Sequence, residues 1–355
     1  MPRCDQQESG MSRKQTANLS TPKNPSRAFT LIELLVVISI VALIIGITVP
    51  ALAAARNLAK DSSTGATINS LVQAVSQFQA AEHREPGYFS PEEMGDTQNT
   101  SRGLSAMQNI MLDLVGGPVA SSGLSRTAIR VGPTRASQVE VDLNLINLGE
   151  GGKNYLAPNP RSYVPVTGGV SIADHKKLPD IVDAWGMPIL AWAENDLAGV
   201  MTDTSAVGDF AEIDSSEGLA RYYWAQNSVY LSSHGLGKFE KDMDHESLIG
   251  SGEVTAERLA AFLGSPNSAV RADATVGSIL PREGRGAVVF QSAGRDQVYL
   301  AEKDDGYKAL AGDLIFGRNL TPKNSVRSGQ YLIDGVEQSI DIVDRFDDIV
   351  RSSGN

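Results

Sequence analysis

Glu33 is the residue whose position points most clearly to chemistry. It precedes a run of 22 residues without a charged side chain, from Leu34 to Ala55. As a helix, this run would be about 33 Å long, which is enough to cross the hydrocarbon core of a bilayer, about 30 Å thick. A carboxylate at the start of such a helix is costly unless headgroups solvate it or a cation pairs with it. Glu33 is therefore a candidate for an ion pair in an apolar layer.

The other reactive side chains do not form a catalytic or zinc-binding set that the sequence reveals. The one cysteine, Cys4, cannot form an internal disulfide, a CxxC pair or a cysteine-based zinc site. The four histidines lack the HExxH spacing, and there is no nucleophile elbow, Walker loop or GxGxxG sequence. The sequence therefore predicts that the protein is not an enzyme.

The composition is typical of a folded, acidic protein. Of the 355 residues, 41% are hydrophobic and 21% are charged, which is the range of globular chains. The 42 acidic and 31 basic residues give a formal net charge of −11. Because the nucleic-acid backbone is bound by clustered lysine and arginine, this balance argues against nucleic acid as a partner.

The charges on either side of the apolar run predict its orientation in a membrane. Two cations, Arg56 and Lys60, closely follow the run, whereas five precede it: Arg3, Arg13, Lys14, Lys23 and Arg27. Positive charge is concentrated on the cytoplasmic side of membrane spans. Residues 1–28 are therefore expected in the cytoplasm, and the bulk of the chain is expected outside it.

Residues 27–37, with the sequence RAFTLIELLVV, resemble the cleavage and methylation motif that type IV pilins share with the pseudopilins of type II secretion systems. The resemblance implies that a prepilin peptidase cuts between Ala28 and Phe29 and that the new amine of Phe29 is methylated. It implies that Glu33 then pairs with the N-terminal amine of a neighbouring subunit. Pro50 also matches the family, and a proline inside a helix removes one backbone hydrogen bond. Ala28 departs from the glycine that the family usually has before the cut.

Two other interpretations of the N-terminal region remain. An ordinary secretory signal peptide could be cut after an Ala-x-Ala sequence within residues 51–55, although the apolar run exceeds the usual core of about 7–15 residues. An uncleaved signal anchor would explain the apolar run but not the combination of Phe29, Glu33 and Pro50. The prepilin motif explains all of these features together.

The apolar run is predicted to be the first part of a longer helix. Beyond a polar stretch at residues 61–65, apolar residues at 68, 71, 72, 75 and 78 share one helical face, and Glu85-Pro86-Gly87 indicates its end. An independent surface helix is the alternative for this second part. The predicted segments are a leader, a transmembrane or filament-core helix, an amphipathic stem helix and a globular extracytoplasmic head, at residues 1–28, 29–55, 56–85 and 86–355.

The fold class is predicted to be α+β, with the long N-terminal helix packed on a globular head that contains an antiparallel sheet. The three tryptophans, Trp185, Trp192 and Trp224, are expected in the core rather than on a carbohydrate-binding surface. Apart from the N-terminal helix, we predict helices at 104–114 and 255–263, strands within 162–192 and 221–232, and a hairpin of 287–291 with 297–302.

Two short motifs in the head are similar to elements of major pseudopilins. Residues 183–188, DAWGMP, resemble their D-x-W-G-x-P element, and 292–296 with 346–349, SAGRD and FDDI, resemble their C-terminal loop. The second resemblance implies a bound calcium ion, which needs six to eight oxygen ligands. Several could come from Gly294, Asp296, Asp347 and Asp348; the alternative is that these carboxylates are solvated surface charges. A weaker EF-hand-like candidate at 242–253 has Ser247 where the turn needs glycine.

The resemblance implies two alternative functions. The first is a structural subunit of a type IV pilus-like or type II secretion pseudopilus filament. Its partners would be the prepilin peptidase, an inner-membrane assembly platform and other pilin-like subunits. Such a subunit would begin as a single-pass protein of the inner membrane and end in a periplasmic or surface filament. The second is a minor tip subunit whose head binds a secreted substrate, a surface or DNA. Calcium is the one cofactor that the resemblance implies.

Overall fold

The computed structural model describes residues 30–119, 128–148, 154–165, 172–195, 210–215, 218–231, 247, 249, 259, 262–264, 284–301, 331–333, 336–338, 343 and 346–353. The chain divides into two compact units, Met1–Ala54 and Ala55–Asn355.

Helix α1 (Leu31–Glu82) is a single element of 52 residues, which confirms the prediction of one long N-terminal helix. The polar stretch at residues 61–65 does not interrupt it. His83 follows with a φ of 56°. A left-handed residue at this position is a common way to end a helix. The helical face that the sequence predicts is buried, with Ile68, Leu71, Val75 and Phe78 at most 3% exposed.

Three short helices follow, and each begins at a residue that caps it. These are α2 (Pro91–Met94), α3 (Thr97–Arg102) and α4 (Ala106–Leu114). Helix α4 confirms the helix predicted at 104–114. Ser105 and Gln108 form a reciprocal capping box at its start, which satisfies two backbone amides that would otherwise lack acceptors.

The second unit also contains antiparallel strands, as the sequence predicts. The strands are β1 (Pro118–Val119), β2 (Ala128–Val131), β3 (Val139–Asp142), β4 (Tyr163–Pro165), β5 (Pro179–Ile181), β6 (Leu190–Ala193), β7 (Phe210–Ser215), β8 (Gly218–Tyr223), β9 (Val288–Ser292), β10 (Tyr331–Ile333), β11 (Val336–Gln338) and β12 (Ile349–Ser353). Helix α5 (Leu143–Leu148) follows β3. Among the described residues, two sheets have three strands each, in the orders β1-β3-β2 and β12-β9-β6, and the other strands pair as β4-β5, β7-β8 and β10-β11.

Strand β9 separates two hydrophobic clusters. Val288 and Phe290 belong to the cluster that contains the buried face of α1 and helix α4. Val289, on the opposite face of the strand, belongs to a second cluster with Trp192 and Trp224. These two tryptophans are buried as predicted, whereas Trp185 is half-buried. The strand is therefore covered on both faces, which accounts for the run of three apolar residues at its start, Val288–Phe290.

The strand predicted at 221–232 is wrong beyond Tyr223. Residues Trp224–Asn227 form a 3₁₀-helix and Ser228–Leu231 form helix α6. The reason is that two amide side chains of the 3₁₀-helix bind the outer edge of β6. Asn227 Nδ2 donates to the carbonyl of Ala191 (2.7 Å), and Gln226 Oε1 accepts from the amide of Ala193 (3.2 Å). An extended chain would lose these contacts.

The hairpin predicted between 287–291 and 297–302 is also wrong, although its first strand exists as β9. Residues 294–300 form turns, and Gln297 and Leu300 have φ angles of 66° and 44°. The partners of β9 are β6 and β12 instead. Of the helix predicted at 255–263, Leu259, Phe262 and Leu263 are helical, and the other residues lie outside the described ones.

Asp180 and His175 are both buried, and burial shifts the pKa values of their side chains in opposite directions. Asp180 accepts hydrogen bonds from the hydroxyls of Ser105 (2.8 Å) and Tyr230, yet burial raises the pKa of its carboxyl to about 7. His175 accepts from the amide of Gly132 at Nε2 (3.2 Å) and donates from Nδ1 to the carbonyl of Arg102 (2.9 Å). Burial lowers the pKa of this imidazole to about 4.

Because the pKa of Asp180 differs between the folded and the unfolded chain, replacing this residue should change how the free energy of unfolding depends on pH. The pKa of Asp180 is higher in the folded than in the unfolded chain, so protonation of this carboxyl stabilises the fold. This contribution to the free energy of unfolding is fully present below about pH 4 and is lost as the pH rises towards 7. His175 acts oppositely, because its contribution is lost as the pH falls from about 6.5 to about 4. In the wild-type protein, the effects of Asp180 and His175 on the pH dependence of the free energy of unfolding therefore oppose each other.

We therefore expect Asp180→Asn to become more stable relative to wild type as the pH rises from 4 to 7, by about 1–4 kcal/mol in the free energy of unfolding. Urea unfolding of the full chain in detergent, followed by near-ultraviolet circular dichroism at a series of pH values, measures this difference. His175→Gln is the matched control and should show the opposite trend. If the free energies of unfolding of Asp180→Asn and wild type changed with pH in parallel, the raised pKa of Asp180 would be contradicted.

Candidate functional site

Glu33 and Thr30 cap the start of α1 together. Glu33 Oε2 accepts from the backbone amide and the hydroxyl of Thr30, both at 2.8 Å, and Thr30 Oγ1 accepts from the amide of Glu33 at 3.2 Å. This reciprocal arrangement is a capping box. The capping role of Thr30 was not predicted, although the Thr-x-x-Glu pattern before an apolar run is a signal for it. Glu33 thus has a local partner within its own chain.

The first part of α1 has the properties of a membrane span. Among the described residues it is the one helix that is long and apolar enough to cross a membrane, and its apolar side chains are exposed. Its polar side chains are satisfied within the helix, because Ser39 donates to the carbonyl of Leu35 (2.8 Å) and Thr48 to that of Ile44 (2.9 Å). A helix in hydrocarbon needs this internal satisfaction.

Pro50 lies inside α1, as the sequence predicts. It has no amide hydrogen, so the helix loses the hydrogen bond that residue 50 would donate to the carbonyl of Gly46. A Cβ on Gly46 would meet no atom within 4 Å. Two residues that loosen helices therefore lie one turn apart within the apolar segment. Ala28 and Phe29, the predicted processing residues, lie outside the described residues.

Asp183 organises the turn that carries the D-x-W-G-x-P sequence. Its Oδ1 accepts from the amides of Trp185 and Met187, both at 2.9 Å, and Gly186 adopts a φ of 92° that suits glycine. Its Oδ2 accepts from the hydroxyl of Ser292 at 2.7 Å. Burial raises the pKa of this carboxyl. The hydrogen bond joins the two motifs that the sequence singled out separately, since Ser292 begins the second one.

Gly294 and Asp347 bring the two halves of the second motif together. Gly294 has a φ of 67°, and a Cβ at this position would lie 2.4 Å from the carbonyl oxygen of Asp347. Asp347 Oδ2 accepts from the amides of Arg295 (2.7 Å) and Asp296 (3.0 Å). Asp296 Oδ1 in turn accepts from the amide of Val298 at 2.8 Å. The turn after β9 is thus held to the segment before β12.

Asp348, the next residue in the chain, is buried. Its Oδ2 accepts from Gln291 Nε2 at 2.6 Å, and its two carboxyl oxygens accept from the amide of Leu300 at 3.1 and 3.2 Å. Burial raises the pKa of this carboxyl well above its usual range. Both oxygens of this carboxyl group therefore already accept hydrogen bonds within the protein.

The structure brings all four predicted calcium residues into one neighbourhood, but they do not fit a calcium site by themselves. The carboxyl groups of Asp296, Asp347 and Asp348 all accept hydrogen bonds from backbone amides. Among the described residues, no three acidic, histidine or cysteine side chains are grouped as a metal site requires. Residues 302–330 and most of the EF-hand-like segment lie outside the described ones, and calcium stays a prediction.

Comparison with known protein families supports the N-terminal assignment. Residues 23–49 match the model of the prokaryotic N-terminal methylation motif, the signature of type IV pilins and pseudopilins. The match covers the predicted cleavage point, Glu33 and most of the apolar run. Comparison with curated proteins and with solved structures gave no match. The motif supports a pilin-like or pseudopilin-type subunit.

The geometry around Asp347 predicts that the loop after β9 is held by carboxylate–amide hydrogen bonds. Asp347→Ala leaves two backbone amides without their acceptor, and we expect the free energy of unfolding to fall by about 1–3 kcal/mol. Thermal unfolding of the full chain in detergent with a chelator present measures the effect. Glu92→Ala removes an exposed carboxylate elsewhere and is the matched control, with an expected change within about 0.5 kcal/mol.

The same experiment distinguishes hydrogen bonding from a calcium clip. Unchanged unfolding of wild type on chelation, together with a destabilised Asp347→Ala, agrees with the hydrogen-bonded loop. A wild-type melting temperature that falls on chelation and returns with calcium would show that a metal holds the loop.

Proposed function

We propose that the chain is a structural subunit of a pilin-like filament, either a type IV pilus or a type II secretion pseudopilus. It is made as a single-pass protein of the inner membrane, with residues 1–28 in the cytoplasm and the head outside. Prepilin peptidase removes this leader, and an assembly platform in the membrane transfers the mature chain into a filament. The role is structural, and no reaction is assigned to the head.

One observation carries this proposal: the methylation motif at residues 23–49 overlaps the first part of a single helix that continues to Glu82. A signal peptide needs a short apolar core, and a simple anchor needs neither a cleavage motif nor an acidic residue beside its apolar run. A filament subunit needs all of these features in one element. The apolar part serves first in the membrane and then in the filament core.

The capping geometry of Glu33 supports a role in assembly. Both hydrogen bonds from Thr30 reach Oε2, and Oε1 has no hydrogen-bond partner among the described residues. A neighbouring amine could therefore approach Oε1 without breaking the cap. Opposite charges attract strongly in a medium of low dielectric constant, and either charge alone would be penalised there. The pair would favour one axial register between subunits.

A minor tip subunit is the second candidate, and the size of the head favours it. Cleavage after Ala28 leaves a mature chain of 327 residues, which is larger than a usual major pseudopilin. The presence of Glu33 favours a position in the shaft. Copy number per filament, counted by quantitative mass spectrometry, separates the two, because a shaft subunit is abundant and a tip subunit is present in trace amounts.

The proposed processing predicts the N-terminus of the mature protein. Mass spectrometry of the protein purified from membranes should show a chain that begins with N-methylated Phe29 and lacks Cys4. Ala28→Gly restores the residue that the family usually has and should give the same terminus. A terminus after Ala55 would instead show an ordinary signal peptide, and retention of Met1 would show an uncleaved anchor.

The proposed ion pair predicts a separation between membrane insertion and assembly. Glu33→Ala should remain in the membrane fraction but form filaments at a greatly reduced level, because the amine of the neighbouring subunit loses its partner. Thr30→Ala is the matched control: it removes the helix cap, at a cost of about 0.5–2 kcal/mol, and keeps the carboxylate. Filament yield from sheared cells measures both variants. Normal filaments from Glu33→Ala would contradict the pairing role.

A further inference from the structure

Three residues at the start of the second unit form a surface that the filament role does not explain. Arg56 and Lys60 lie on α1, and Trp185 lies at the tip of the turn that Asp183 organises. We call these three residues the Trp185 patch. Arg56 is exposed, and Lys60 and Trp185 are half-buried.

The turn that carries Trp185 lies against α1 next to Lys60, one helical turn beyond Arg56. Lys60 Nζ lies 5.7 Å from the centroid of the Trp185 ring, and the amide of Ala184 donates to Thr64 Oγ1 at 3.1 Å. Gly186 is exposed, and a Cβ at this position would meet no atom within 4 Å. The end of the turn is therefore open space. The indole is held in position and is not enclosed by the core, unlike Trp192 and Trp224.

The charge of this surface opposes that of the chain as a whole. The chain carries a formal charge of −11, and α1 contains five charged residues: Glu33, Arg56, Lys60, Asp61 and Glu82. The two cations of the helix are thus the two that immediately follow the apolar run. Asp61, the adjacent anion, is paired with Arg295 in the turn after β9. The patch is therefore locally basic on an acidic protein.

The position of the patch along the helix matches the thickness of a headgroup layer. The charge-free run ends at Ala55, and a rise of 1.5 Å per residue places Arg56 about 1.5 Å and Lys60 about 7.5 Å further along the axis. The polar layer on each side of a bilayer is about 5–8 Å thick. Tryptophan is enriched in this layer because its ring is apolar and its N–H is polar, and lysine and arginine interact there with anionic headgroups.

We propose that the Trp185 patch is a binding surface for anionic phospholipid headgroups. It holds the head against the outer leaflet while the subunit waits in the membrane. The inference rests on the proposed function, because it requires that α1 spans the bilayer. The continuity of the patch with the apolar run favours lipid over a second protein chain, because one continuous helix carries its two cations directly beyond the apolar run, at the level of the headgroups.

The test measures whether Trp185 lies at the headgroup layer. The full chain is placed, one copy per disc, in nanodiscs of phosphatidylcholine or of equimolar phosphatidylcholine and phosphatidylglycerol, each with a nitroxide-labelled headgroup lipid. We expect the nitroxide to quench tryptophan emission by up to about one-third, the share of one tryptophan among three. Quenching should be stronger in the anionic discs and should disappear in Trp185→Phe.

The contribution of the cations is tested with a matched pair of variants. Arg56→Gln with Lys60→Gln should reduce quenching in anionic discs to the level in zwitterionic discs. Lys176→Gln, which removes an exposed cation on another element, should leave it unchanged. Equal quenching in wild type and Trp185→Phe, or quenching that does not depend on anionic lipid, would overturn the proposal.

Carbonate extraction of liposomes that contain the full chain separates this inference from the proposed function. A chain that resists extraction but shows no Trp185-dependent quenching overturns the headgroup surface and leaves the membrane span intact. A chain that is extracted overturns both. A head that contacts another subunit instead of lipid would give no quenching at one copy per disc.

Discussion

Strand β9 is buried on both faces, and a different hydrophobic cluster of the second unit packs against each face. Its alternating side chains contribute to both hydrophobic clusters, and its two edges pair with β6 and β12. A strand in this position cannot end freely, because its last residues would carry unsatisfied polar groups into the core. The hydroxyl of Ser292 donates to Asp183, and in the turn that follows the amides of Arg295 and Asp296 donate to Asp347. The short motifs are thus the means by which a doubly buried strand is ended.

The second unit satisfies its buried carboxyl groups with neutral donors. Asp180 is bound by two hydroxyls, Asp183 by backbone amides and a hydroxyl, and Asp348 by backbone and side-chain amides. Such donors leave much of the cost of burying a charge in place, so burial raises the pKa of each carboxyl. After cleavage following Ala28 the chain would hold no cysteine, so no disulfide within the chain could brace the second unit.

The N-terminal helix meets two different requirements with one sequence. Its first part must be acceptable in hydrocarbon, which explains why Ser39 and Thr48 donate to carbonyls of the preceding turn. Its second part must pack on a protein core, which explains the single buried face. The capping box of Thr30 and Glu33 adds that the acidic residue already stabilises the helix start before any assembly partner is present. The carboxyl group of Glu33 therefore already has hydrogen-bond partners within its own chain.

The sequence by itself determined the features that depend on local order. The apolar run, the helical face beyond it, helix α4 and the methylation motif can all be read from the spacing of neighbouring residues, because helices are closed by contacts within about four positions. Tertiary structure alone decided the features that depend on distant partners. Gln226 and Asn227 turn an apolar, strand-like segment into a 3₁₀-helix because the edge of β6 is there to bind them. The bond from Ser292 to Asp183 joins residues 109 positions apart. No local pattern encodes such pairs, since their energy exists only when the chain has folded around them.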